Sequence, residues 1–170
     1  SSLAKFLKSE QRTVAPETIL NYIRYCCDAY LFYQVKREEV QGKQILASNE
    51  KYYIADHGIR EAVFGGNAKD INLTLENIVY LELLRRGYHV TVGKNQDKEI
   101  DFVCDKRGEK LYIQVSDDIS SDKTFEREIS PLLSIGDAYP KMILARTHHE
   151  ATDRDGVQIV DLARWLCGEA

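Results

Sequence analysis

The chain has 170 residues, 44% hydrophobic and 29% charged, with a formal net charge of −4. That is ample apolar content for a packed core, and the acidic balance argues against tight, nonspecific nucleic-acid binding, which rests on neutralising phosphates. No apolar run approaches the ~18 residues of a membrane span, and no basic-then-apolar leader opens the chain, so neither a spanning helix nor a secretory signal is expected. The opening Ser1-Ser2 reads as a cut-out fragment or a tag remnant. Cys26, Cys27, Cys104 and Cys167 include no C-x-x-C pair, and a reducing, cytoplasmic setting is the simplest expectation. Charge is uneven: residues 1–63 carry nine Lys/Arg against eight Asp/Glu, residues 64–170 fourteen against nineteen.

Leu3 to Leu7 reads as the tail of a short helix. Pro16 suits a first helical position and Glu17 the positive end of the dipole, while Ile19, Ile23, Cys26, Cys27 and Tyr30 recur at helical spacing. An amphipathic helix over about 16–30 follows, with Thr18, Asn21, Tyr22, Arg24 and Tyr25 on its other side. Strand-like Leu31 to Val35, the turn Gln41-Gly42-Lys43, Ile45-Leu46 and Lys51 to Asp56 complete a hairpin. Helix, helix, hairpin is the order of a winged helix, in which the second helix reads the DNA major groove. Thr18, Asn21, Tyr22, Arg24 and Tyr25 would then be the reading face; the alternative is a unit that merely packs on its neighbour.

Asp56-His57-Gly58 reads as a turn, with His57 a local hydrogen-bonding residue rather than a base, and Ile59 to Phe64 as a short helix stopped by Gly65-Gly66. The segment from Phe64 to Asn72 separates a winged-helix-like part, residues 1–65, from a second part, residues 72–170. A helix over about 73–86 ends at Gly87. Glu76 shares an edge with its apolar residues, so its carboxylate either needs a partner or an ion, or simply favours the helix N-terminus.

Tyr88 to Val92 is a strand. Glu99 to Cys104 and Leu111 to Ser116 alternate with period two across a polar, Gly-containing turn and read as an antiparallel hairpin. Alternation puts Asp101 and Val103 on one face and Tyr112, Gln114 and Ser116 on another, and lets an acid and an amide meet across the strands. A helix begins near Asp122, and Pro131 is expected to kink it or start another. Lys141 to Ala145 and Val157 to Val160 are strands. His148-His149-Glu150 reads as a solvated loop rather than a metal site. Asp161 is a good N-cap for a last helix before Gly168. From residue 73 the order is α-β-β-β-α-β-β-α, an α/β arrangement with a mixed sheet flanked by helices. There is no repeat, G-x-x-x-x-G-K loop or G-x-S-x-G elbow, which argues against an independent nucleotidase or serine hydrolase.

A helical glutamate, a strand aspartate and an acid-x-lysine on the next strand resemble the site of the PD-(D/E)XK, or restriction-endonuclease-like, nucleases. The resemblance implies Glu76 at the helix position, Asp101 as the strand aspartate, Gln114 at the acid or amide position and Ser116 in place of the lysine. In active members the corresponding carboxylates and a backbone carbonyl, here that of Val115, hold magnesium, so Glu76, Asp101 and Gln114 would be the metal ligands.

The chain also resembles the C-terminal region of prokaryotic AAA-type ATPases, a winged-helix segment plus a nuclease-like domain of unknown function. Lys51 to Arg60, Leu75 to Tyr88, Asp97 to Val103 and Pro131 to Ile135 carry that resemblance, which implies an ATPase domain as partner. Ser116 departs from the nuclease pattern, because a hydroxyl cannot replace an ammonium beside a developing phosphorane; Lys94, Lys98 or Lys141 would have to reach in instead.

Three readings remain. One is a noncatalytic nuclease-like module acting in DNA binding or protein interaction. The others are a Mg-dependent DNA endonuclease with a displaced lysine, and a structural dimerisation or docking domain. Double-stranded DNA and a second copy of the chain are the further partners to consider; a membrane is not.

Overall fold

The computed structural model describes residues 14–42, 44–65 and 70–169; the helix expected at Leu3 to Leu7 lies outside them. The helices are α1 (Pro16–Asp28), α2 (His57–Phe64), α3 (Ile71–Arg85), α4 (Asp122–Leu133) and α5 (Leu162–Cys167). The strands are β1 (Phe32–Glu39), β2 (Gln44–Ile54), β3 (His89–Asn95), β4 (Lys98–Lys106), β5 (Glu109–Ser116), β6 (Lys141–Ala145), β7 (Thr152–Arg154) and β8 (Val157–Asp161). All eight join one mixed sheet in the order β2-β1-β3-β4-β5-β6-β8-β7. The fold is α/β, an eight-stranded mixed sheet flanked by helices.

Alternation along the central strands divides the core. On one face α3 buries Leu75, Val79, Tyr80 and Leu83 with Val92, Phe102, Cys104 and Ile113. On the other α4 buries Phe125, Ile129 and Leu132 with Ile100, Val103, Tyr112 and Ile143. Side chains that each remove a large apolar area from water on folding contribute about 2 kcal/mol apiece, so both helices are fixed to the sheet firmly. The apolar belt of α3 is broad because the β1–β2 hairpin also reaches it. Tyr53 stacks on Tyr80 with ring centroids 4.3 Å apart, and Tyr33 tilts against the same ring at 5.9 Å.

Several expectations are corrected here. The hairpin read as the wing of a winged helix is instead part of the sheet: β1 runs parallel to β3, pairing Arg37 to Glu39 with Val92 to Lys94. A hairpin edge carries unpaired N–H and C=O groups, and β3 covers that edge over the last three residues of β1. The first helix ends at Asp28, and Tyr30, expected on its buried stripe, is 77% exposed with a left-handed φ of 57°. Asp56 to Gly58 is not a free turn but the start of α2, where the Asp56 carboxylate accepts from Gly58 N. Pro131 lies inside α4, which runs on to Leu133, so it does not start a second helix. The carbonyl of Arg127, four residues earlier, loses its usual donor to the proline and accepts from Ser130 Oγ. The short β7 was not anticipated. Among the described residues no helix is long and apolar enough to cross a membrane.

Candidate functional site

The hairpin of β4 and β5 closes through Arg107 and Gly108, both at positive φ, as a two-residue turn matching the strand twist requires. Its ladder runs from Lys106 opposite Glu109 to Phe102 opposite Ile113. Beyond that point side chains take over. Asp101 Oδ2 accepts from Val115 N at 2.9 Å, and Asp101 N donates to Gln114 Oε1 at 3.2 Å. The change follows from a bulge on the other side of β4: Thr91 pairs with Val103 and Gly93 with Ile100, so β4 spends one residue more than β3. A bulge turns side chains off the plain alternation. Ile100 and Val103, three residues apart, consequently share a core cluster, so the plain alternation is broken across Asp101 and Phe102. Gly93 makes this possible, since a Cβ there would lie 2.8 Å from Val103 Cγ2 and 2.9 Å from Ile100 Cβ.

Glu76, in the first half of α3, is 8% exposed. It sits beneath β2, where alternation puts Lys51 and Tyr53 on one face. Its Oε1 accepts from Lys51 Nζ at 2.5 Å and from the Tyr53 hydroxyl. Lys51 also pairs with Glu99 at 2.9 Å, and Arg37 pairs with Glu99 in turn. Burial pulls the ammonium of Lys51 down, but Glu76 and then Asp101 and Glu99 outweigh it, so the group is held above its ordinary value. Glu99 is likewise pushed up by burial and brought below its ordinary value by Lys51 and Arg37.

Asp101 behaves oppositely. Burial first, and then the neighbouring Glu76, push its carboxyl up to about 7, against the lowering pull of Val115 N–H and Lys51; Glu128 adds to the rise. On the opposite face of the sheet Glu128 of α4 shares the buried stripe of Phe125, Ile129 and Leu132, and is 6% exposed. It accepts from Gln114 Nε2 at 3.2 Å and from Arg127 at 2.6 Å. Glu76, Asp101, Gln114 and Glu128 thus line one cavity of about 420 Å³, with Lys98 and Arg127 also in its wall.

Of the residues singled out in the sequence, Glu76, Asp101 and Gln114 are brought together, and Val115 joins them. Ser116 is not in the cavity wall; it is buried, with its hydroxyl donating to the Asp118 carbonyl at 3.3 Å. Of the lysines considered, Lys98 lines the cavity and donates to Ser130 O at 3.3 Å, whereas Lys141 turns to the Asp137 carbonyl at 2.7 Å and Lys94 is absent from the wall. The cation that meets Glu76 is Lys51, which the sequence reading missed together with Tyr53 and Glu128. The signals available were the Lys51/Tyr53 alternation and the position of Glu128 on an apolar helical stripe. Thr18, Asn21, Tyr22, Arg24 and Tyr25 stand apart on α1, all but Thr18 well exposed, with Arg24 5.6 Å from the Tyr25 ring centroid. None of the five lines the cavity. His57 is not the local hydrogen-bonding residue expected: both ring nitrogens are covered and without a partner.

Carboxylate, amide and carbonyl oxygens are the donors magnesium prefers, and here one oxygen of each of three such side chains already accepts a hydrogen bond within the chain. Glu76 Oε1 is taken by Lys51 and Tyr53, Asp101 Oδ2 by Val115 N, and Gln114 Oε1 by Asp101 N. Among the described residues no three His, Cys, Asp or Glu side chains are grouped so as to hold a metal.

The chain is 39% identical over 166 residues to an uncharacterized protein of Haemophilus influenzae, covering 98% of the chain and 41% of that protein. It is 31% identical over 131 residues to an uncharacterized protein of Methanocaldococcus jannaschii, covering 75% of the chain and 28% of that protein. The chain therefore spans less than half the length of these relatives. No protein-family profile matches it, and no solved structure matches it significantly.

Proposed function

We propose that this chain is a noncatalytic nuclease-like module, with a restriction-endonuclease-like sheet and a degraded site, serving a longer AAA-type ATPase in DNA binding or protein interaction. The observation that carries this reading is the ion pair of Lys51 with Glu76. It places an ammonium where two neighbouring buried carboxylates, Glu76 and Asp101, would otherwise call for a metal cation. Two such carboxylates repel one another, and a cation between them relieves the repulsion. Lys51 pairs directly with Glu76, with Tyr53 adding a hydrogen bond, and offsets only part of the rise that burial and Glu76 impose on Asp101. Ser116 supports the same conclusion, since its hydroxyl is turned to a backbone carbonyl and offers no charge to a phosphate.

The rest of the site is similarly self-satisfied. Gln114 spans Asp101 N and Glu128, so its amide oxygen and its amide nitrogen are each engaged within the chain. The acidic floor further favours a protein or a loosely held nucleic acid over tight phosphate binding. The expected result of incubating supercoiled and linear DNA with the protein and Mg²⁺ or Mn²⁺ is no cleavage. Metal-dependent cleavage that disappears in Asp101→Ala would overturn the reading.

One observation favours the endonuclease alternative. Lys51 lies close enough to act electrostatically on Asp101, so it is the side chain to consider as a displaced lysine. Under that alternative Lys51→Met abolishes cleavage. For the noncatalytic module, a gel shift with duplex DNA that weakens in Arg24→Ala or Tyr25→Ala and with salt separates DNA binding from protein docking.

A further inference from the structure

Glu76 and Lys51 also line a second cavity of about 420 Å³, between the end of β2, the start of α2 and the first turns of α3. Its size is that of a pocket for a small molecule. Phe32, Tyr52 and Ile54 give it an aromatic and aliphatic wall. The wall is preformed: the Asn77 side chain both accepts from Ile54 N at 2.8 Å and donates to Ile54 O at 2.9 Å, pinning the end of β2 to α3.

The polar groups of this cavity are chiefly donors with capacity to spare. Lys51 has three N–H groups and spends them on two carboxylates, Glu76 and Glu99. Arg60 has five and is held by Glu61 at 3.0 Å and Asp70 at 2.6 Å. His57 lines the cavity with neither ring nitrogen paired. A desolvated, unpaired imidazole is costly, and such a group in a folded protein calls for an explanation. Glu76 Oε1 already accepts twice, from Lys51 and from Tyr53.

We propose that this cavity binds a small planar aromatic ligand carrying an anionic group, a carboxylate or a phosphate. The ring packs on Phe32 and Tyr52, and the anion takes the spare donors of Arg60 and Lys51. The proposal is independent of whether the neighbouring site cleaves DNA.

The test is an amide NMR titration of the whole chain with adenosine 5′-monophosphate and with indole-3-acetate. Adenosine serves as a ring-only control and inorganic phosphate as an anion-only control. At least one of the two probes is expected to give saturable shifts centred on Tyr52, Ile54, His57 and Leu73. The controls should bind more weakly by about tenfold or more, the worth of one charge-assisted contact or one stacked ring. Tyr52→Ala, at an exposed position, and Arg60→Met should each weaken the probe by about tenfold while the remaining spectrum stays native. The proposal is overturned if neither probe saturates by about 5 mM or if the shifts map elsewhere. It is equally overturned if adenosine or phosphate binds as tightly as the probe, or if Tyr52→Ala binds as the unaltered chain does.

Discussion

Two buried glutamates on opposite faces of the sheet reach the same cavity and are held in different ways. Glu76 of α3 depends on a cation and a phenol delivered by β2, 25 and 23 residues earlier in the chain. Glu128 of α4 leans on its own neighbour, Arg127, whose side chain is 68% exposed, and on Gln114 across the sheet. The first arrangement exists only once the β1–β2 hairpin has joined the sheet edge. The second is assembled from one helix and the strand it covers. The site is therefore locked from the α3 side by tertiary structure and left comparatively open on the α4 side.

The sharpest way to break that asymmetry is Lys51→Met, which leaves Glu76 buried with Tyr53 alone. Removing one partner of a buried ion pair costs about 3–5 kcal/mol, to be measured by urea unfolding. The double variant Lys51→Met with Glu76→Gln should recover much of the loss, because the orphaned charge goes with it. An unchanged midpoint in Lys51→Met would show that Glu76 is not held as described.

Next in size is Gly93→Ala. Its added methyl meets the rigid Cβ of Ile100 opposite the bulge that re-aims Asp101, and overpacking of this kind costs about 1–3 kcal/mol. If the bulge is what shapes the site, the same variant should also shift the Asp101 and Val115 amide resonances.

Asp101→Asn bears on the middle of the cavity, between the two glutamates. The folded carboxyl of Asp101 sits at about 7 against an ordinary 3.8, so the folded chain binds the extra proton between those values. Stability on account of this group is fully present below about pH 4 and is lost as pH rises through about 7. The asparagine variant, still able to accept from Val115 N, should therefore gain on the unaltered chain progressively across that window. The groups facing Asp101 are Glu76, Glu128 and Lys51, and a gain that persists equally at pH 4 would assign it to packing instead. The smallest effect is expected on the α4 side: Arg127→Met should cost less than about 1 kcal/mol, as exposed ion pairs do. A loss as large as that of Lys51→Met would erase the contrast between the two glutamates.

Local physics was legible in the residues themselves. The β4–β5 hairpin declared itself by period-two alternation on either side of a Gly-containing turn, and Asp161 announced α5 as an N-cap whose carboxylate accepts from Arg164 N at 3.0 Å. Asp101 and Gln114 could be paired from alternation across the turn, whereas it was the resemblance to the nuclease pattern that added Glu76 to them. Ser116 illustrates the limit of that method: one pleat beyond Gln114 it ought to share the site, yet it is turned to the backbone of Asp118.

The amino-acid order by itself determined the central elements and the meeting of Asp101 and Gln114 across the hairpin, because helical and strand periodicities and turn chemistry act over a few residues. The parallel docking of β1 on β3, the bulge at Asp101 and the arrival of Lys51 at Glu76 were decided by tertiary structure. Each depends on which strand edge meets which, and on charges brought together from segments far apart in the chain, where no short-range preference acts.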